Sequence, residues 1–194
     1  VRVSSRTTIA IACCLLGALP SPAKVLLSVD EALALAFPGA EMERRTVYLT
    51  AGQRDEAAGL AGVPLATGIV HPYLARRDGE VVGTAFFDTH LVRTLAATVM
   101  VAVDARGQVL RVETIAFDEP PDYLPRSEWF RQFDGHRLDP ELELRRAIRP
   151  VTGATLTARS TTDAVRRALA LERVLRQPST SRPPESGASA GEVR

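Results

Sequence analysis

Six residues, Thr98-Val99-Met100-Val101-Ala102-Val103, constrain this chain more than any other stretch. After Thr98 the run is apolar without alternation, so an extended strand there needs cover on both faces. It is short, rich in β-branched residues and bounded by Asp104 and Gly107, which favours a strand over a helix. The flanking sequence supplies partners. His71 to Arg77 and Glu80 to Phe87 flank Asp78-Gly79, a two-residue hairpin signal, while Thr98 to Asp104 and Gln108 to Phe117 flank a turn at Gly107. The spacing predicts four strands in two hairpins, most simply one antiparallel sheet. The polar stretch Asp88-Thr89-His90-Leu91-Val92-Arg93-Thr94 reads as a loop between the hairpins, long enough to reach a site.

Helical periods surround this block. Ser28-Val29-Asp30-Glu31 is a capping box, opening a helix that runs to Ala36 or Phe37 and stops before Pro38-Gly39. A second short helix falls between Gly52 and Leu60, broken by Gly62-Val63-Pro64. After the strands, three prolines between Glu119 and Arg126 predict a stiff, extended, non-helical loop. Ser127 to Phe133 reads as a short helix with Trp129, Phe130 and Phe133 at one-turn spacing, a pattern that suits the core. The last helix, Ser160 to Arg176, has an apolar stripe through Ala164, Val165, Ala168, Leu169 and Leu175. The class is therefore α+β: a small antiparallel sheet of about four strands, packed by a C-terminal helix and short N-terminal helices.

The chain ends divide from this domain. Arg2 and Arg6 precede an apolar run from Ile9 to Ala18, and Ser21-Pro22-Ala23 offers small residues for cleavage, so residues 1–23 read as an export signal. A retained N-terminal anchor is the alternative. Cys13 and Cys14 both fall in this segment, which leaves no thiol for a disulfide, a zinc site or an iron–sulfur cluster once it is removed. Residues 24–65 form the N-terminal helical segment, 66–176 the main domain, and 177–194, rich in Ser, Pro and Gly, a disordered tail. Charge excludes a partner class: the net formal charge is +1, with no clustered basic stretch, so nucleic acid is not expected. His71, His90 and His136 show no metal-ligand spacing, and no phosphate-binding glycine loop or nucleophile elbow occurs.

One stretch remains. Pro150-Val151-Thr152-Gly153-Ala154-Thr155-Leu156-Thr157 places hydroxyls, a glycine and an alanine where a helix opens. Backbone N–H groups and the positive helix end then face one small volume, which suits a phosphate; the same pattern also serves as a plain N-cap. The segment Thr152-Gly153-Ala154-Thr155, followed by Leu156-Thr157, resembles the (Ser/Thr)-Gly-Ala-Thr signature of the FMN-binding domain family. That family includes the C subunit of the sodium-pumping NADH:quinone oxidoreductase and the G subunit of the Rnf complex. Trp129-Phe130-Arg131-Gln132-Phe133-Asp134-Gly135 resembles the family's aromatic-Gln-Phe-x-Gly segment, and the likeness runs roughly from Ala66 to Leu175.

The resemblance implies FMN joined through a phosphoester to the last threonine of the motif, here Thr155, by a separate flavin transferase. Thr152, Gly153, Ala154, Leu156 and Thr157 then contribute to the cofactor site. The family's Glu-containing loop beside the flavin ring falls on residues 118–125, which makes Glu119 and Tyr123 candidate ring contacts; His90 is a further candidate from the loop between the hairpins. The family usually has Asp six residues before the linked threonine, where this chain has Arg149. Expected partners are the transferase and a membrane redox complex or another electron donor or acceptor, with residence in the periplasm or on the outer face of the inner membrane. The expected role is an electron carrier; the alternative is a flavin-free docking module of the same fold. If residues 1–23 are an export signal, N-terminal sequencing of the protein from a Gram-negative periplasm should begin at Lys24. A chain that retains residues 1–10 would contradict that.

Overall fold

The computed structural model describes residues 25–177; residues 1–24, where an export signal is expected and both cysteines fall, and residues 178–194, where a tail is expected, lie outside the described residues. In chain order the elements are α1 (Val29–Ala36), β1 (Glu41–Arg44), β2 (Val47–Tyr48), α2 (Ala51–Ala61), β3 (Ile69–Val70), β4 (Tyr73–Arg77), β5 (Glu80–Leu91), β6 (Ala96–Asp104) and β7 (Val109–Phe117), then α3 (Ser127–Phe130) and α4 (Thr155–Arg176). The main sheet is antiparallel, in the order β1-β4-β5-β6-β7, and β2 pairs separately with β3. The fold is α+β, as expected.

The apolar run behaves as its composition demands. Val99, Val101 and Val103 of β6 point into a core shared with Phe86, Val109, Val112 and the buried face of α4, including Val165, Ala168 and Leu169. Met100 and Ala102 point the other way, into a second core with Ala32, Leu33, Ala36 and Phe37 around α1. A strand alternates its side chains between faces, so one uninterrupted run feeds both cores. Full burial of each such valine contributes about 1.5–3 kcal/mol. Ala57 and Ala61, both fully buried, let α2 approach α4 closely on the first of these faces.

Both N-terminal helices carry complete capping boxes, Ser28 with Glu31 and Thr50 with Gln53. The hairpin at Asp78-Gly79 has positive φ at both residues, 51° and 82°, as a type I′ turn requires. Four details depart from the expectation. A fifth strand, β1, joins the outer edge of β4; its sequence Glu-Met-Glu-Arg has no apolar run, and its charges suit an exposed edge. The stretch from Asp88 to Leu91 is not loop but the end of β5, paired with β6 as far as Leu91 opposite Ala96. The polarity of Asp88 and His90 is met by a part-buried network with Arg167, while Thr89 and Leu91 stay exposed. The proline-rich loop contains one 3-10 turn, Pro121–Tyr123, because a proline at the first helical position forfeits no hydrogen bond. Finally, α4 opens at Thr155 rather than near Ser160, so the threonine-rich motif forms both the approach to the helix and its first residues.

Gly83 explains itself through packing. It sits in β5 under the Phe37 ring, where an added Cβ would overlap both that ring and the Val103 carbonyl. Gly83→Ala should therefore destabilise the fold by about 1–3 kcal/mol or more, read as a lower midpoint in urea unfolding.

Candidate functional site

The approach to α4 is held from outside. Trp129 donates its indole N–H to the Arg149 carbonyl at 2.7 Å, and the Arg149 N–H donates to Gln132 Oε1 at 2.9 Å. The aromatic segment thus clamps the backbone of Arg149 on both sides, while Phe130 and Phe133 anchor it in the core. Both phenyl rings meet Trp129 edge to face, at centroid distances of 5.2 and 5.4 Å. From this clamp the chain enters a tight turn in which the Ala154 N–H reaches the Val151 carbonyl at 3.2 Å. Gly153 takes φ 84°, with no other group within 4 Å of where a Cβ would stand. Glycine is required here for its backbone conformation, not to make room. The Thr152 side chain is exposed and makes no hydrogen bond among the described residues.

Beyond this turn α4 begins with an open end. Ala154 occupies the N-cap, and its side chain caps nothing. The Ala158 N–H closes on the Ala154 carbonyl at 2.9 Å, but the N–H groups of Thr155, Leu156 and Thr157 find no acceptor among the described residues. This differs from α1 and α2, and it leaves donors and a positive helix end facing outward. The plain N-cap role of the hydroxyls is thus not the one realised. Thr155 lies at the first helical position, part-buried, its hydroxyl donating to the Val151 carbonyl at 3.1 Å. The Thr157 hydroxyl donates to the Tyr123 carbonyl at 2.6 Å and is buried, so it ties the proline-rich loop to α4 and does not face outward.

These residues line a cavity of about 170 Å³, with Val92, Arg93, Tyr123, Gly153, Ala154, Thr155, Leu156 and Thr157 in its walls. Tyr123 and the motif, assigned separately from sequence, are brought together. The Arg93 guanidinium lies over the Tyr123 ring, 4.9 Å from its centroid; sequence reasoning passes over Arg93, which falls in an undifferentiated polar stretch. Glu119 is buried and does not line the cavity. Its Oε1 instead accepts the backbone N–H groups of Arg93, Thr94 and Leu95 at 3.1, 2.9 and 3.0 Å. Those bonds, chiefly from Thr94 and Leu95, hold its carboxyl below the usual carboxylate range. Glu119 fixes the turn after β5 and reaches the site only through it.

His90 does not line the cavity either. It lies in β5 opposite Ala97, with Nδ1 2.8 Å from Asp88. Arg167 of α4 grips the same carboxylate with two bonds, of 2.7 and 2.8 Å. Burial by itself would raise Asp88, but the hydrogen bonds from Arg167 and His90 and their charges outweigh it and bring the carboxyl down to about 2. The network joins α4 to β5 and so holds the helix across the sheet.

A larger cavity, about 930 Å³, lies elsewhere, between α2, β4, β5 and the far end of α4 at Glu172 to Arg176. At 1.5 Å per residue that end is about 25–30 Å from Thr155. No cluster of three potential metal-binding side chains occurs among the described residues, and none of their helices is long and apolar enough to cross a membrane.

Comparison with known proteins falls on the same region. Residues 95–170 match the model of the FMN-binding domain, a span that includes Thr155 and the clamp at Trp129 and Gln132. This segment is similar to the FMN-binding domain family. The G subunit of an ion-translocating oxidoreductase complex from Shewanella loihica (strain ATCC BAA-1088 / PV-4) is 32% identical over 130 residues, covering 57% of this chain. The chain spans 58% of the length of that relative.

The residues at the α4 end fit part of FMN well. A cavity near 170 Å³ is below the roughly 300–1,000 Å³ that encloses a drug-sized ligand, so it has room for a phosphate group and not for a flavin ring. Leu156, about half exposed, offers apolar surface beside it.

The Asp88 network carries a testable sign. A carboxyl lowered in the fold adds stability that is complete above its unfolded value near 4 and fades as pH falls toward about 2. Denaturation midpoints should drop across that window in the wild-type chain, and the drop should be smaller in Asp88→Asn. At pH 7, Arg167→Met should cost about 3 kcal/mol, the low end for breaking a buried pair, because both side chains keep slight exposure.

Proposed function

We propose that this chain is an exported electron carrier holding one FMN, joined by a phosphoester to the Thr155 hydroxyl. One observation carries the reading: within the segment that matches the FMN-binding domain, Thr155 sits at an uncapped helix end that opens on a phosphate-sized cavity. The flavin, once attached, supplies the electron chemistry. The protein's part is to hold it. Three N–H groups unpaired among the described residues and the α4 dipole favour the phosphate, the dipole by about 0.3–1 kcal/mol. Tyr123 and Leu156 offer aromatic and apolar surface at the cavity wall.

Thr155 is the acceptor of the modification and not a catalyst. Its hydroxyl is bonded to a backbone carbonyl, and among the described residues no histidine or carboxylate is bonded to it to take its proton, so a separate flavin transferase is needed. That enzyme must bring an FMN phosphoryl group bearing a leaving group. The Thr155 oxygen–phosphorus bond forms as the leaving group departs, and the hydroxyl proton goes to a base of the transferase. Arg149, at the place of the family's usual Asp, has its backbone clamped and its side chain exposed; the departure alters charge beside the turn and leaves its framework intact.

The similarity to the G subunit of an ion-translocating oxidoreductase complex supports work within, or alongside, a membrane redox complex. Residues 1–23 support a location in the periplasm or on the outer face of the inner membrane. The decisive measurement is the intact mass of chain co-expressed with a flavin transferase. Wild type should gain the mass of one FMN less one water, and Thr155→Ala should gain nothing. Absence of the gain in wild type, with a transferase active on another substrate, would favour the flavin-free docking module.

A further inference from the structure

Arg93 is an arginine without a partner. Arg93 is exposed, and among the described residues its guanidinium makes no ion pair within 4 Å and no hydrogen bond; what sets it apart from other exposed arginines is its place over the Tyr123 ring in the cavity wall. Arg166, for comparison, spends its guanidinium on the carbonyls of Ala61, Asp139 and Leu142. The Glu119 carboxylate, which braces the turn, directs an oxygen to its backbone N–H groups and forms no ion pair with the Arg93 side chain within 4 Å.

The position of Arg93 is nevertheless fixed at two levels. Its backbone is pinned by Glu119, in a turn that the Val92 N–H closes on the Leu95 carbonyl at 3.1 Å. Its side chain rests on the Tyr123 ring, whose own carbonyl is tied to α4 by Thr157. An unpaired, always-charged planar fork is thus held in the wall of the cavity that the open α4 terminus and Thr155 share.

We propose that Arg93 is the counter-ion of the FMN phosphate at Thr155. This role rests on the FMN function proposed for the chain. A phosphodiester keeps about one negative charge at neutral pH, and its free oxygens match the paired donors of a guanidinium. The helix end supplies backbone donors from one side of the cavity and Arg93 supplies full charge from another. Tyr123 is a positioning residue in this scheme, acting through its ring face, which holds the cation by a cation–π contact.

The test compares full-length chain loaded with FMN by a transferase against the same chain unloaded. A vicinal dicarbonyl reagent modifies free guanidinium groups, and peptide mass mapping reads each arginine separately. Labelling of Arg93 should slow about tenfold on loading, as expected for a charge-assisted hydrogen bond, while exposed Arg54 on α2 labels equally in both forms. Arg93→Gln should slow loading by a similar factor of about ten, with Arg93→Lys restoring part of it. Tyr123→Phe should keep the protection and Tyr123→Ala should lose it. Equal labelling of Arg93 in the two forms, or a normal loading rate in Arg93→Gln, overturns the counter-ion role while the mass gain at Thr155 stands. A wild-type chain that takes up no FMN, or a gain that survives Thr155→Ala, removes the phosphate from this cavity and overturns both readings together.

Discussion

The two-sided burial of β6 is the constraint from which the rest of this molecule follows. A strand that is apolar on both faces needs a layer above and a layer below, and the chain supplies α1 on one side and α4 with α2 on the other. The sheet accordingly has two separate cores, each fed by alternate residues of one strand. With α4 committed to one face along its length, its N-terminal end can project to only one place. That place lies beside the turn after β5 and the proline-rich loop after β7.

Polar interactions then convert a packed helix into a placed one. Packing alone is non-directional and tolerates sliding. The Arg167 fork on Asp88 tethers α4 to β5, and the Thr157 hydroxyl tethers its first turn to the Tyr123 carbonyl. Trp129 and Gln132 hold Arg149 from either side just before the motif. Glu119 gathers three successive N–H groups of the turn that carries Arg93. Each bond ends on backbone or on a buried partner, so each fixes position more than it adds bulk stability. The result is a helix end in a fixed place that the protein leaves uncapped, beside an arginine with no ion pair among the described residues.

That contrast bears on how the motif works. Hydroxyl-rich helix starts ordinarily satisfy their own donors, as the capping boxes of α1 and α2 do. In the approach to α4 the cap position is alanine, the glycine serves a left-handed turn, and the threonine hydroxyls are directed at carbonyls or solvent. The donors of the first turn are consequently available to an external anion. An FMN phosphate at Thr155, as we propose, would satisfy them together with the charge of Arg93.

Much of this was legible in the residues themselves. The hairpin at Asp78-Gly79, the buried β6, the capping box at Ser28 and the core role of Trp129, Phe130 and Phe133 all follow from local chemistry and short-range period, which tertiary packing reinforces. The motif at Thr152 to Thr155 could be placed at a helix opening from its glycine and small residues, while its likeness to the FMN-binding domain came from resemblance to a known signature and not from local chemistry. Long-range pairing decided the remainder. Polarity at Asp88 and His90 suggested a solvated loop, because nothing local announces Arg167, 79 residues later, as the partner that lets a carboxylate lie inside a strand. The charged β1 looked unlike a strand, since its pairing depends on β4 rather than on its own composition. Glu119 became a brace and Arg93 a cavity wall only when the sheet brought residues 93–95 and 119 together. Sequence period reports which face a residue needs covered; which distant group covers it, and which charge is left unpaired, is settled only when the elements are packed.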